Sequence, residues 1–276
     1  MTSLETYSLA VGQGDFDRLA IFNKYFNPGS QQLLIDADVG SAAAVLEAGC
    51  GQGEMTQFIG EQVGQSGSVV AIDSSSEQIA LVEKTLGDAR NVTFHCEDFT
   101  SARLESESFD IVYCRAFLQH LREPAEALDK MVQLLRPGGR LVCEVCDVRG
   151  LRFVPEVPDS NLWQESWFGL GEALGTSYRF ADHARSAMDR LSVTVTTFRI
   201  NQPVSRELDA KMLHVLGFQQ LIPQYLEKKV ATPESIQRSL RAFQRLLDDP
   251  SIYAESYRMN QFIAVKERDS QQLSGE

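Results

Sequence analysis

Glu47-Ala48-Gly49-Cys50-Gly51-Gln52-Gly53 closes the first apolar run of this 276-residue sequence, and its glycines decide how the rest is read. Glycine lets a backbone turn sharply after a strand and come close to a ligand. Open α/β sheets bind ligands beyond the carboxyl ends of their strands, so a site is expected where the apolar runs end. Five such runs cover Ala42–Ala48, Ser68–Asp73, Asn91–Glu97, Phe109–Cys114 and Gly139–Asp147. They are almost continuously apolar, as strands buried on both faces are. Between them, Met55, Phe58, Ile59 and Val63 share one helix face, and Ile79, Val82 and Leu86 another. Leu128, Met131, Val132 and Leu135 form a third, entered through Pro124 and closed by Pro137-Gly138-Gly139. Ser74-Ser75-Ser76-Glu77 has the form of a capping box before the second helix. This alternation predicts right-handed crossovers and a doubly wound, mostly parallel α/β sheet.

The chain is read as a single domain, residues 1–276. Residues 1–41 form a helical lead-in that Pro28-Gly29 interrupts, and residues 42–147 form the ligand-binding core. Residues 148–191 are an insertion: Trp163, Trp167, Leu170 and Leu174 make a helical stripe, and Arg179–Leu191 reads as a further helix. Residues 192–266 hold two last strands, Ser192–Ile200 and Arg258–Lys266, which bring the sheet to seven. A helical insertion over 203–250 lies between them, with Ile236, Leu240, Phe243 and Leu247 on one face. The polar tail 267–276 is expected to fray.

A formal charge of −12 speaks against an electrostatic grip on nucleic acid or anionic membrane. No apolar run reaches the roughly 18 residues of a membrane span, and no basic-plus-apolar leader opens the sequence. Cys50, Cys96, Cys114, Cys143 and Cys146 lack the spacing of a disulfide scaffold. Cys143 and Cys146 fall within a strand and read as buried reduced thiols, which fits a cytoplasmic protein. His95, His183 and His214 carry no metal-ligand spacing, and no metal is expected.

A glycine loop followed by an acid also describes dinucleotide folds. Asp73, twenty residues past Gly53, suits two ribose hydroxyls in either case. However, a G-x-G-x-x-G pattern begun at Gly49 needs glycine at Glu54, and one begun at Gly51 needs it at Thr56. The packing glycine and a pyrophosphate cradle are therefore missing. Glu47, just before the glycines, suits a ligand with a cationic amine better than a diphosphate.

The string VLEAGCGQG at 45–53 resembles the first motif of class I S-adenosylmethionine-dependent methyltransferases. Asp73 matches their ribose-binding acid, Glu97-Asp98-Phe99 the segment whose acid contacts the adenine amine, and FDIVYCRAFLQHL (109–121) their fourth motif. LLRPGGRLV (134–142) matches the turn and strand that follow; Glu47 stands where aspartate is usual. The chain also resembles a bacterial subgroup of small-molecule methyltransferases. Tyr7-Ser8-Leu9-Ala10 and Asp17-Arg18-Leu19 match its opening, though Ala10 replaces a usual glycine. Glu144 to Asp147 matches the end of its fifth strand, and TPESIQRSLRAFQRLLDDP (232–250) its C-terminal helix.

The resemblance implies a Rossmann-like methyltransferase fold with helical lid insertions, S-adenosyl-L-methionine as cofactor and methyl transfer to oxygen or nitrogen of a small-molecule acceptor. It implies a cofactor site of Tyr7, Arg18, Glu47, Gly49, Gly51, Gly53, Asp73, Ser74, Asp98, Phe99 and Arg115. In it Arg18 grips the cofactor carboxylate, Arg115 contacts the methionine portion and Tyr7 helps close the pocket. His120 is the candidate base, or packs beneath the cofactor. Glu144 and Asp147 are expected near the substrate mouth, where Asp147 orients or deprotonates the acceptor. Trp163 and Trp167 wall an apolar pocket or belong to ordinary core. A non-catalytic cofactor-binding scaffold is the competing reading, which the intact loop, Asp73 and Asp98 count against. A nucleic-acid methyltransferase is opposed by the charge, and by Cys114-Arg115-Ala116-Phe117 where an Asn/Asp-Pro-Pro-aromatic string would stand.

Overall fold

The structure, a computed structural model, describes Leu9 and residues 16–268. The expectations for Tyr7, for Ala10 and for the last eight residues of the tail lie outside the described residues.

Helix α1 (Phe16–Asp36) leads into five strands interspersed with three helices: β1 (Ala44–Ala48), α2 (Glu54–Val63), β2 (Ser68–Asp73), α3 (Ser76–Leu86), β3 (Val92–Cys96), β4 (Phe109–Arg115), α4 (Pro124–Leu134) and β5 (Leu135–Asp147). A short strand β6 (Arg152–Val154) and helices α5 (Leu162–Leu174) and α6 (Ala184–Met188) precede β7 (Val193–Asn201). Then come β8 (Val204–Ser205), α7 (Leu208–Glu227), α8 (Pro233–Asp248), β9 (Tyr253–Glu255) and β10 (Arg258–Lys266). Seven strands form one sheet in the order β3-β2-β1-β4-β5-β10-β7. The first five are parallel; β10 runs antiparallel to both β5 and β7. The order reverses at β1 and β4, where a crevice opens at the strand ends.

Alternation along the strands separates two apolar layers. Val45, Ile111 and Tyr113 point to the face covered by α2 and the second half of α1, with Leu33, Leu34, Met55 and Ile59. Leu46, Val112 and Cys114 point to the opposite face, with Leu128, Met131 and Met188 of α4 and α6. A third cluster lies beyond the strand ends and joins Phe22 and Phe26 of α1 to α5, α7 and α8 through Trp163, Trp167, Phe218 and Phe243.

Four local expectations are corrected. Pro28 does not interrupt the lead-in: α1 runs through it. A proline inside a helix removes one hydrogen bond, and here neighbouring side chains serve the carbonyls around it. Ser30 Oγ donates to Phe26 O at 3.2 Å, and Gln261 Nε2 donates to Gly29 O at 3.2 Å. Ser75 alone caps α3, accepting from Gln78 N, rather than a box closed by Glu77. Pro137-Gly138-Gly139 lies within β5, where the pairing with β4 shifts register. Arg179–Leu191 holds only a short 3₁₀ turn and the five-residue α6. The small antiparallel sheet β6-β9-β8 was not read from the sequence, because its strands are two or three residues long. No helix among the described residues is long and apolar enough to cross a membrane.

Candidate functional site

The glycine loop leaves β1 with all three glycines at positive φ, and each meets different surroundings. A Cβ on Gly49 would stand 2.7 Å from the Phe117 ring, and one on Gly53 2.1 Å from Val82 of α3. One on Gly51 would meet nothing within 4 Å, because Gly51 borders the cleft at the strand ends. Gly53 thus packs loop against helix, a role the sequence pattern had left without a residue.

Asp73, at the end of β2, holds this loop. Its carboxylate accepts from Gly51 N and Ser75 N, each at 2.9 Å. Burial raises its pKa, opposed by those backbone N–H groups. Glu47 is more enclosed. It accepts from Thr56 Oγ1 at 2.6 Å, and burial lifts its carboxyl to about 7 despite that bond and the nearby Arg115. Glu47, Asp73, Ser74, Asp98, Phe99 and the first two glycines all line the cleft.

α1 forms the facing wall with Arg18, Leu19, Phe22 and Asn23. Arg18 is buried there. Arg115, at the end of β4, reaches across to α1: it donates to Asn27 Oδ1 at 2.7 Å and Asn23 Oδ1 at 2.9 Å, over the Phe22 ring. The structure therefore brings Arg18, Glu47, Asp73, Ser74, Asp98, Phe99 and Arg115 around one cleft.

The three candidate catalytic residues separate. His120 lines the cleft, edge-on to Tyr178, which stacks on Trp167. Burial, with Arg18 nearby, pushes its imidazole down to about 3, so it is neutral near pH 7 and takes up a proton poorly. Glu144 does not stand at a mouth. It is buried in the sheet, accepting from Tyr113 Oη at 2.7 Å and Gln261 Nε2 at 2.7 Å. Asp147 also faces away: it caps the turn after β5 through Arg149 N and pairs with the Arg149 guanidinium at 2.8 Å. Glu144 stands level with Arg115 at the end of β4 and Asp147 ends β5, but strand alternation and a local turn aim them elsewhere.

Sequence reasoning passed over several lining residues. His214, Phe218, Leu221 and Tyr225 come from α7, with Gly217 between them. Their spacing of four, three and four places them on one helix face, a signal present in the sequence. Gln52, Gln78 and Gln119 also line the cleft. Gln52 Nε2, Gln78 Oε1 and Gln119 Oε1 are buried without a hydrogen-bond partner among the described residues. Trp163 and Trp167 do wall the cleft.

Residues 46–143 match the family model described as a methyltransferase domain. The malonyl-[acyl-carrier protein] O-methyltransferase of Bacillus cereus is 36% identical over 98 residues, 36% of this chain and 35% of that protein. The chain thus spans about a third of that relative's length. Among solved structures, the YcgJ protein of Bacillus subtilis superposes with a TM-score of 0.56 at 15% identity, covering 87% of this chain and 99% of that one. A phosphoethanolamine N-methyltransferase of Haemonchus contortus, in complex with S-adenosylhomocysteine, does so with a TM-score of 0.54 at 15% identity, covering 95% and 55%. At such identity the two structures share the fold.

Proposed function

We propose that this chain, whose residues 46–143 match the model of a methyltransferase domain, is a class I S-adenosylmethionine-dependent methyltransferase that transfers a methyl group to oxygen or nitrogen of a small molecule. The observation that carries the reading is the wall opposite the glycine loop. It is built by α1, α5 and α7 of the same chain, and its side chains, Trp163, Trp167, Phe218, Leu221 and Tyr225, are buried. A cleft lined on both sides in this way suits a small acceptor better than the surface of a macromolecule. The relatives' names, one an O-methyltransferase and one an N-methyltransferase, agree with transfer to either atom.

The cleft fits the cofactor. Open space above Gly51, the carboxylates of Glu47 and Asp73, and the unpartnered amide atoms Gln52 Nε2, Gln78 Oε1 and Gln119 Oε1 offer what a ligand with an amine, a ribose and a base requires. Glu47 would face the amine and Asp73 the ribose hydroxyls, with Ser74 beside it. Asp98 and Phe99 would hold the adenine, and Arg18 and Arg115 the methionine portion. When bound, the cofactor supplies an electrophilic methyl group on a sulfonium. The chain's own contribution is alignment, worth up to roughly 7–11 kcal/mol in favourable intramolecular cases. The helices also exclude water, which strengthens the remaining electrostatics.

The test is transfer of labelled methyl from the cofactor into a metabolite extract. Label should enter a low-mass product, and Asp73→Ala should abolish transfer and weaken cofactor affinity at least tenfold. Label in a protein or nucleic-acid fraction overturns the small-molecule reading. Tight cofactor binding with no transfer to any fraction overturns methyl transfer itself.

A further inference from the structure

The cleft has two halves of different composition. The carboxylates that line it, Glu47, Glu54, Asp73, Glu97 and Asp98, all lie in or just after β1, β2 or β3 at the glycine-loop end. The other half is walled by α5 and α7, and among its described residues no Asp, Glu or Lys lines it. Arg18 reaches its edge: an ideal Cβ on Gly217 would lie 3.8 Å from Arg18 Cδ and from Tyr257 Oη.

This apolar half is not purely apolar. Trp163 Nε1, Trp167 Nε1, Tyr225 Oη and His214 Nδ1 are buried with no hydrogen-bond partner among the described residues. The four residues are at most 8% exposed. Packing alone would be served as well by phenylalanine, and an unsatisfied buried donor lowers stability. Indole N–H groups and a hydroxyl in an apolar wall suit oxygen atoms on an otherwise apolar guest. The aromatic rings would also suit a cation, but no Asp or Glu among the described residues lines this half to balance one. In the reading above, Arg18 is committed to the cofactor carboxylate, which leaves no cation for an anionic acceptor.

We infer that the chamber between α5 and α7 takes an uncharged, mostly apolar acceptor bearing a hydroxyl or carbonyl oxygen. That oxygen pairs with the Tyr225 hydroxyl and with an indole N–H group of Trp163 or Trp167. The inference rests on the methyl-transfer reading and names its substrate class.

The experiment uses the chain's two tryptophans, both in this wall, as reporters. With saturating S-adenosylhomocysteine, tryptophan emission is followed while three probes of one skeleton are titrated: 3-cyclohexylpropan-1-ol, its carboxylate analogue and its ammonium analogue. The alcohol should shift emission saturably, and each charged analogue should bind at least tenfold more weakly. Tyr225→Phe should weaken the alcohol at least fivefold without lowering Tm, since it removes a buried unpartnered hydroxyl. A charged analogue binding as tightly as the alcohol, no saturable shift, or unchanged alcohol affinity in Tyr225→Phe each overturns the inference. If calorimetry shows no S-adenosylhomocysteine binding, the methyl-transfer reading fails and the inference falls with it. If S-adenosylhomocysteine binds and the alcohol does not, the inference alone fails.

Discussion

Glu47 is the residue where burial and function oppose each other most directly. Its carboxyl sits at about 7 against an ordinary 4.5, chiefly because it is buried. Between those values the folded, ligand-free chain holds a proton that the unfolded chain has released. Stability of the empty protein should therefore fall as pH rises from about 4.5 to 7, by an amount on the order of 3 kcal/mol. A cationic amine bound beside Glu47 favours the ionised form and reverses the preference. Affinity for S-adenosylhomocysteine should accordingly rise by up to about tenfold per pH unit below 7 and level off above it. Calorimetry from pH 5.5 to 8 checks this, with Glu47→Gln as the control. The variant should bind more weakly with a flat profile, and a profile as steep as the wild type's would remove Glu47 from the amine site.

At the scale of elements, the glycine loop divides its work in a way that only the structure displays. Gly53→Ala sets a Cβ against Val82 at positive φ, and should cost about 3 kcal/mol, or near 10 °C in Tm. Gly51→Ala meets no neighbour and should cost only about 1 kcal/mol, while its methyl group enters the cleft and lowers S-adenosylhomocysteine affinity more than tenfold. Thermal melts with calorimetry separate the two, and equal losses of stability would refute the division. The sequence carried much of this element's meaning: the run Ser68–Asp73 and the closing strand Arg258–Lys266 coincide with β2 and β10. It carried less where tertiary contacts decide. Pro28 reads locally as a break, yet α1 continues through it, and Gln261 of β10 donates to Gly29 O from outside the helix. Glu144 reads as a site acid by its height in the strand, and alternation turns it toward Tyr113. His214 carries no motif, so only the face it shares with Phe218, Leu221 and Tyr225 brings it to the cleft.

For the whole molecule, the decisive feature is that the cleft lies between two separately packed bodies of side chains. The sheet has its own apolar layers on either face, and the cluster of α5, α7 and α8 has another, tied to the sheet through α1 and through Cys146 of β5 and Met259 of β10. Arg115 makes one such tie, from the end of β4 to Asn23 and Asn27. Without ligand, the helical cluster can open by itself at less cost than global unfolding, as locally packed units do. A ligand in the cleft touches the glycine loop on one side and α1 and α7 on the other, and so couples the two bodies. At a hundred times its Kd it should add about 2.7 kcal/mol, which is roughly 5–10 °C in Tm for a chain of this size. Hydrogen exchange locates where that stabilisation appears. Saturating S-adenosylhomocysteine should slow exchange in the glycine loop and also in α1 and α7, while β7, at the far edge of the sheet, should not change. Protection confined to the loop and α3 would mean that the helices stand beside the cofactor site without closing on it. The water exclusion on which the proposed methyl transfer depends would then have to come from the acceptor itself.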